Sequence, residues 1–206
     1  MEWSEVLDPE LSPRELLCER IPAMHADRIE QFGRLCDTSL IFSIVFDDGD
    51  QRYTLSLSPE GARGVEGDMI DFPQATARGR LDSWSRSMAL LSELVEPADR
   101  QIDGVEERMT VDDAIKRGFE QFDGVLDVEI VNIPDGEGPL SFEIILNDYS
   151  EPSWAETAEL SVDWSTLEDV ANGRIGPVEA AQQVRLRSAV GLAVDLGGFL
   201  MNEFDL

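Results

Sequence analysis

The sequence predicts an α+β protein made of two small modules in tandem, and three features of the 206-residue chain carry that expectation. Short runs that alternate apolar and polar residues are joined by turns rich in Asp, Gly and Pro, as in β-hairpins. Longer stretches place apolar residues at a period near 3.6, as helices do. The order of these elements in the second half echoes the first, and internal repetition constrains the organisation of a chain before any single element does.

In the first half, 40–46 is expected as a strand, Asp47-Asp48-Gly49-Asp50 as a turn and 52–57 as the returning strand. A glycine-punctuated strand is expected within 60–71 and another at 75–81, followed by a helix over 83–95 that gives way at Pro97. The stretch 111–122 carries Val111, Ala114, Ile115, Phe119 and Phe122 at helical spacing. Thr110 can cap that helix, and Asp112 and Asp113 suit its first turn. In 125–133, Asp127 and Glu129 alternate with Leu126, Val128 and Ile130, then a turn over 134–139 leads to a second strand at 140–146. A strand at 156–162 precedes a helix over 163–171 that Gly173 ends, and Pro177 starts a short helix through 182. The alternating 184–187 and an apolar helix over 190–204 close the chain.

Three echoes recur in the same order. Glu30-Gln31-Phe32-Gly33 returns as Glu120-Gln121-Phe122-Asp123-Gly124, and Leu81-Asp82-Ser83-Trp84 as Val162-Asp163-Trp164. Pro97 to Gln101 is answered by Pro177 to Gln182. The expected modules are 1–108 and 109–206, with 111–122 either opening the second or shared between the two.

Composition narrows the function. Hydrophobic residues make up 42%, enough for a packed core. No apolar run reaches the ~18–20 residues a membrane span needs, so no stable membrane insertion is expected. The start, Met1-Glu2-Trp3-Ser4-Glu5, is acidic where a secretory signal is basic, so a cytoplasmic location is expected. Cys18 and Cys36 are then expected as buried thiols, although sequence alone does not forbid a disulfide. The net charge is −27, and Lys116 is the only lysine beside fifteen arginines. With no basic patch to release counterions from phosphates, the chain is not expected to bind nucleic acid. The acidic residues are spread along the chain without a long block, which favours a solvated surface over mimicry of nucleic acid toward a basic partner.

Catalytic and metal-binding patterns are missing from the sequence. The lone His25 has no His-x-x-x-His, no Gly-x-Ser-x-Gly and no cysteine at metal spacing, so a surface or capping role is expected of it. Asp47–Asp50 lacks the later ligands of a calcium loop, and Gly61, Gly64 and Gly67 lead to no Gly-Lys-Ser/Thr. No catalytic residue, metal ligand or cofactor is therefore assigned, and an enzyme is not expected. Trp84 and Trp164 stand at matching helix starts, where an indole anchors a helix to its sheet or contacts a ligand.

The second half resembles the sterol carrier protein type-two family. The resemblance runs from Ala158-Glu159-Leu160-Ser161-Val162-Asp163-Trp164-Ser165-Thr166-Leu167 through Gly173-Arg174-Ile175-Gly176-Pro177-Val178-Glu179-Ala180. It ends in Val184-Arg185-Leu186-Arg187-Ser188-Ala189-Val190-Gly191-Leu192-Ala193. The usual member has Gly-Lys-Ile/Leu-Asp-Pro at 173–177 and Gly-Asp at 188–189. The first half matches more weakly, with no Gly-Leu-Ala helix after Pro97. The resemblance implies that each module is a mostly antiparallel twisted sheet with helices on one face, enclosing an apolar tunnel. It implies non-catalytic carriage of a fatty-acyl or sterol-like molecule. Helical spacing puts Leu192, Leu196, Phe199 and Leu200 toward the sheet. With Trp164, Leu167 and Val170, and Phe142 and Ile144 opposite, they are the expected lining residues. The same side chains could instead fill a core, leaving an acidic module that pairs with itself as a homodimer or binds a basic protein partner.

Overall fold

The computed structural model describes residues 6–32, 39–69, 73–102, 121–147, 156–188, 191–192, 194–195 and 198. The protein is α+β, with one eight-stranded sheet ordered β3-β2-β1-β4-β6-β5-β7-β8. Five of its seven strand pairs are antiparallel, and β1–β4 and β5–β7 are parallel. The apolar clusters that join its described helices to it lie on one face. Among the described residues, no helix is long and apolar enough to cross a membrane.

The chain enters through α1 (Pro13–Glu15), which runs through a π-helical turn at Leu16–Arg20 into α2 (Ile21–Phe32). Ser12 starts it: its hydroxyl accepts from Glu15 N at 3.3 Å, and Glu15 accepts from Ser12 N at 2.9 Å. This capping box, followed at once by Pro13, satisfies N–H groups that the first turn leaves free. The sequence expectation assigned no element here. Leu16 and Leu17 are buried, while Cys18 is half-buried and not in a disulfide; Cys36 lies outside the described residues.

Strands β1 (Leu40–Phe46) and β2 (Gln51–Ser58) form the first hairpin, and β3 (Gly61–Glu66) extends it as the sheet edge. The π-helical turn lies directly on β3 at Gly64. A Cβ there would run into the Leu17 carbonyl oxygen and come within 2.7 Å of Cys18 Cα, so only glycine fits. β4 (Ala75–Gly79) then lies parallel to β1, and a 3₁₀ turn at Leu81–Ser83 leads into α3 (Trp84–Ile102). Asp48, in the hairpin turn, accepts from Leu81 N at 2.6 Å and Asp82 N at 3.2 Å, so the expected turn caps the helix entry.

The second half repeats this order. β5 (Gly124–Val131) and β6 (Leu140–Leu146) form a hairpin, β7 (Thr157–Asp163) lies parallel to β5, and Trp164 opens α4 (Trp164–Ala171). α5 (Pro177–Gln183) and the short edge strand β8 (Arg185–Leu186) follow, and Gly191, Leu192, Val194, Asp195 and Gly198 are helical. In each half a hairpin is followed by a strand parallel to its first strand and then by a helix near a tryptophan.

The two halves share one sheet, because β4 of the first pairs antiparallel with β6 of the second, Ala77 opposite Ile144. The expected boundary near 108, and most of the expected helix at 111–122, lie outside the described residues. One expectation is corrected at Pro97. Helix α3 runs through it to Ile102, although proline removes a helical N–H and crowds the preceding turn. The three turns ahead of Pro97 are anchored on two cores at once: Trp84, Met88 and Val95 pack in one, Leu90 and Leu94 in another. That packing outweighs the local preference.

Three apolar clusters lie between the sheet and these helices. The first joins Val6, Leu7, Leu16, Leu17 and Met24 to Phe46, Tyr53, Trp84 and Met88. The second joins Ala75, Leu126, Leu146 and Ala158 to Leu192. The third joins Leu140, Ile133 and Trp164 to Leu90 of α3. Alternation along the paired strands puts all three clusters on one face, the inner face, while Ser43, Thr54, Thr76 and Ile145 are buried on the other.

Candidate functional site

Between the second and third clusters, a row of side chains on this face of the sheet is only partly buried. Strand register places Phe142 of β6 opposite Val128 of β5, and Val128 opposite Leu160 of β7. Leu160 in turn stands opposite Leu186 of β8. All four are on the inner face, yet Phe142, Val128 and Leu160 are only half-buried and Leu186 is 40% exposed. On the far side of Phe142 the row meets Gly79, whose Cα would carry a Cβ 3.9 Å from Phe142 Cβ. Central strands of an eight-stranded sheet ordinarily bury this row completely, since apolar side chains on an inner face are what the fold exists to cover. Here the half-buried row is the candidate floor of an apolar trough, ending at Leu186 on the β8 edge.

The walls are well packed. Leu126 and Leu192 stand on one side, 7% exposed each, and Leu192 crosses directly over Gly124, where a Cβ would strike its Cδ2. Leu140 and Trp164 stand on the other, 8% and 2% exposed. Trp164 is held there by its position as the first residue of α4. Asp163 caps that helix by accepting from Ser165 N at 3.2 Å, and Asn132 Nδ2 donates to Asp163 at 2.6 Å. The Asn132 contact first, then the Ser165 hydroxyl, which donates to Asp163 Oδ1 at 2.9 Å, hold the Asp163 carboxyl below the usual carboxylate range. The indole Nε1 of Trp164 is buried with no hydrogen-bond partner among the described residues.

The expected lining residues fall into three groups. Trp164, Leu167, Ile144, Phe142 and Leu192 lie on the inner face or pack against it. Val170 does not: it is 36% exposed. At 100° per residue it stands about 120° around α4 from Trp164, so the helix turns it outward. Leu196, Phe199 and Leu200 lie outside the described residues. Val128, Leu160 and Leu186 were not expected. Val128 joins Phe142 through the β5–β6 hairpin, whereas Leu160 and Leu186 join the row only through the parallel pairing of β5 with β7, which no local pattern reveals.

The opposite face of the second half is charged. Glu143, Asp127 and Glu159 stand side by side across β6, β5 and β7, with Arg78 of β4 opposite Glu143. Arg78 Nη1 lies 3.4 Å from Glu143, and Arg187 Nη2 lies 3.4 Å from Glu129. A cleft of about 100 Å³ on this face is lined by Asp127, Glu129, Ser141, Glu159, Leu160 and Arg187.

His25 is corrected: it is neither on the surface nor a cap but 7% exposed within α2, and burial pushes its pKa down. Its Nδ1 has no hydrogen-bond partner among the described residues. Among those residues no group of three or more His, Cys, Asp or Glu side chains is placed to hold a metal ion. No protein-family model matches the chain, and neither does any curated protein or solved structure.

Proposed function

We propose that the second half binds and carries a hydrophobic small molecule, fatty-acyl or sterol-like, along the trough over β6, β5 and β7. One observation supports this above the rest: the row Phe142–Val128–Leu160–Leu186 keeps solvent access between two well-buried apolar walls. Each of these side chains would gain ~25 cal/mol for every Å² of apolar surface a ligand covers. A mostly apolar channel with few polar groups is also the usual form of a small-molecule site. The sequence resemblance to sterol carriers points the same way, and the carriage it implies needs no catalytic group.

The test is a titration of the full chain with a fluorescent fatty-acyl probe, alongside Val128→Trp. Saturable binding by the unaltered protein, lost in Val128→Trp with cooperative unfolding retained, is expected. If the trough is closed by side-chain packing, no probe binds, and Val128→Trp destabilises by overpacking, typically ~1–3 kcal/mol.

A second reading has its own observation. The row Glu143–Asp127–Glu159 offers an exposed acidic face that suits a basic protein partner. It predicts salt-sensitive association and makes no demand on the trough.

A further inference from the structure

Phe46 occupies in the first half the place that Val128 has in the second. Each lies on the first strand of its hairpin, on the inner face. Each has a parallel neighbour a few residues before a helix-opening tryptophan: Gly79 before Trp84, and Leu160 before Trp164. Their cover differs. Val128 is half-buried, whereas Phe46 is 4% exposed in a cluster that includes Val6 and Leu7, at 0% and 8%. Those two residues belong to an N-terminal segment, 6–11, that precedes α1 and takes no part in the sheet.

The aromatic part of this cluster is assembled without the segment. Phe46 meets Trp84 edge-on, with ring centroids 5.6 Å apart, and meets Tyr53 the same way at 6.3 Å. These rings come from β1, β2 and α3, and α3 adds Met88. The segment itself is tied on lightly. Its turn satisfies its own amides: Leu11 N donates to Asp8 O at 3.1 Å, and Glu10 N to Asp8 Oδ1 at 2.9 Å. Among the described residues, one hydrogen bond joins 6–11 to the sheet and α3: Trp84 Nε1 donates to the Leu11 carbonyl oxygen at 2.7 Å. A segment held by two side chains and one hydrogen bond opens at lower free energy than paired strands do. What it lays against the rings is aliphatic surface and one neutral carbonyl, the groups that an acyl ester presents. An apolar lining with a single polar anchor is also the common form of a small-molecule site.

We infer that the first half holds a second hydrophobic site, closed by residues 6–11 of the chain itself, and that it takes an acyl chain bearing a neutral carbonyl. The ligand's carbonyl replaces the Leu11 oxygen on Trp84 Nε1, and its chain replaces Val6 and Leu7 against Phe46, Tyr53 and Met88. Because the segment must leave first, the apparent affinity is lowered by the fraction of molecules in which it is open. This site is separate from the trough of the second half, and neither depends on the other.

The experiment uses the full chain carrying Val128→Trp, which closes the second-half trough, and a pyrene-labelled fatty-acid methyl ester as the probe. Val6→Asp and Leu7→Asp are added together to loosen the segment. The loosened chain is expected to bind the probe saturably, and roughly tenfold or more tighter than the Val128→Trp chain does. Adding Trp84→Phe, which removes the indole donor, should weaken that binding about fivefold.

Probe binding that does not increase in the loosened chain, with cooperative unfolding retained, would overturn the inference. If the loosened chain does not fold, native-state hydrogen exchange of the unaltered protein decides. Trp84 Nε1–H is expected to exchange faster than the amides within β1 and β2, because only the segment has to open. Exchange no faster than those strands would make 6–11 an integral part of the core and contradict the site. The second-half trough is read separately, by the unaltered chain against Val128→Trp, so the two can fail independently.

Discussion

Arg86 on α3 grips Asp135 with two parallel hydrogen bonds, Nε to Oδ2 at 2.7 Å and Nη2 to Oδ1 at 3.1 Å. The helix belongs to the first half and the carboxylate to the hairpin turn of the second, so this pair ties the halves together above the sheet. The same guanidinium also donates to the carbonyls of Gly138 and Pro139. Arg86 is largely buried, and the fork geometry is specific to arginine. Arg86→Lys is therefore expected to behave more like Arg86→Ala than like the unaltered protein. Both should lower the thermal midpoint, by roughly 2–4 °C or more in a chain of this length. A lysine variant with an unchanged midpoint in calorimetry would show that the fork contributes nothing.

Gly64 is expected to tolerate no side chain. Its would-be Cβ collides with the backbone of Leu17 and Cys18, which cannot swing aside as a side chain can. Gly64→Ala should cost near the upper end of the ~1–3 kcal/mol typical of overpacking. Gly176→Ser is the contrasting case. That position faces open space at φ −82° and precedes α5 as its cap, so serine should be neutral or slightly stabilising. Urea unfolding of both variants checks the pair, and equal stability of Gly64→Ala and the unaltered chain would contradict the close approach.

How far these features could be read from the sequence varies with their range. The strands at Leu40–Phe46 and Leu140–Leu146 were expected at the bounds they have, because alternation and flanking turn residues are local signals. The start of α1 carried a legible signal in Ser12-Pro13-Arg14-Glu15 that the element assignment did not use. What the sequence could not show is which strand lies beside which. Ala75-Thr76-Ala77 reads the same whether β4 ends a sheet or, as here, joins two halves between β1 and β6. The site follows the same division. Phe142 and Ile144 were expected on the inner face from alternation alone. Leu160 joins Phe142 and Val128 in one row only through parallel pairing between segments about thirty residues apart.

His25 makes stability depend on pH in a definite direction. Burial lowers its folded pKa below the ordinary value of 6.5, so in the window beneath 6.5 the unfolded chain binds a proton that the folded chain resists. Stability is then lost as pH falls through that window. At more acid pH, Asp135 adds to the loss, since Arg86 holds its carboxyl below the usual range and protonation releases that contact. Denaturant midpoints measured between pH 8 and pH 5 should fall in the unaltered protein and fall less in His25→Met. Parallel curves for the two proteins would remove His25 from the account.

Charge repulsion gives a separate prediction. Asp127 stands between Glu143 and Glu159 in direct register, and like charges so placed are destabilising. Asp127→Asn is expected to stabilise by ~0.2–1 kcal/mol at low ionic strength. The gain should shrink as sodium chloride shortens the screening length from ~30 Å at 0.01 M to ~3 Å at 1 M. The unaltered chain, at −27, should itself unfold at a higher temperature in the saltier buffer. A midpoint that stays flat or falls across this range would mean that the acidic surface is not under strain.

The most direct test of carriage is native mass spectrometry of the full chain purified, without detergent or organic solvent, from the cells that make it. The account predicts a population heavier than the bare chain by the mass of one fatty-acyl or sterol-like molecule, and its loss in Val128→Trp. A bare chain alone, both as purified and after incubation with a mixture of acyl esters and sterols, would contradict it.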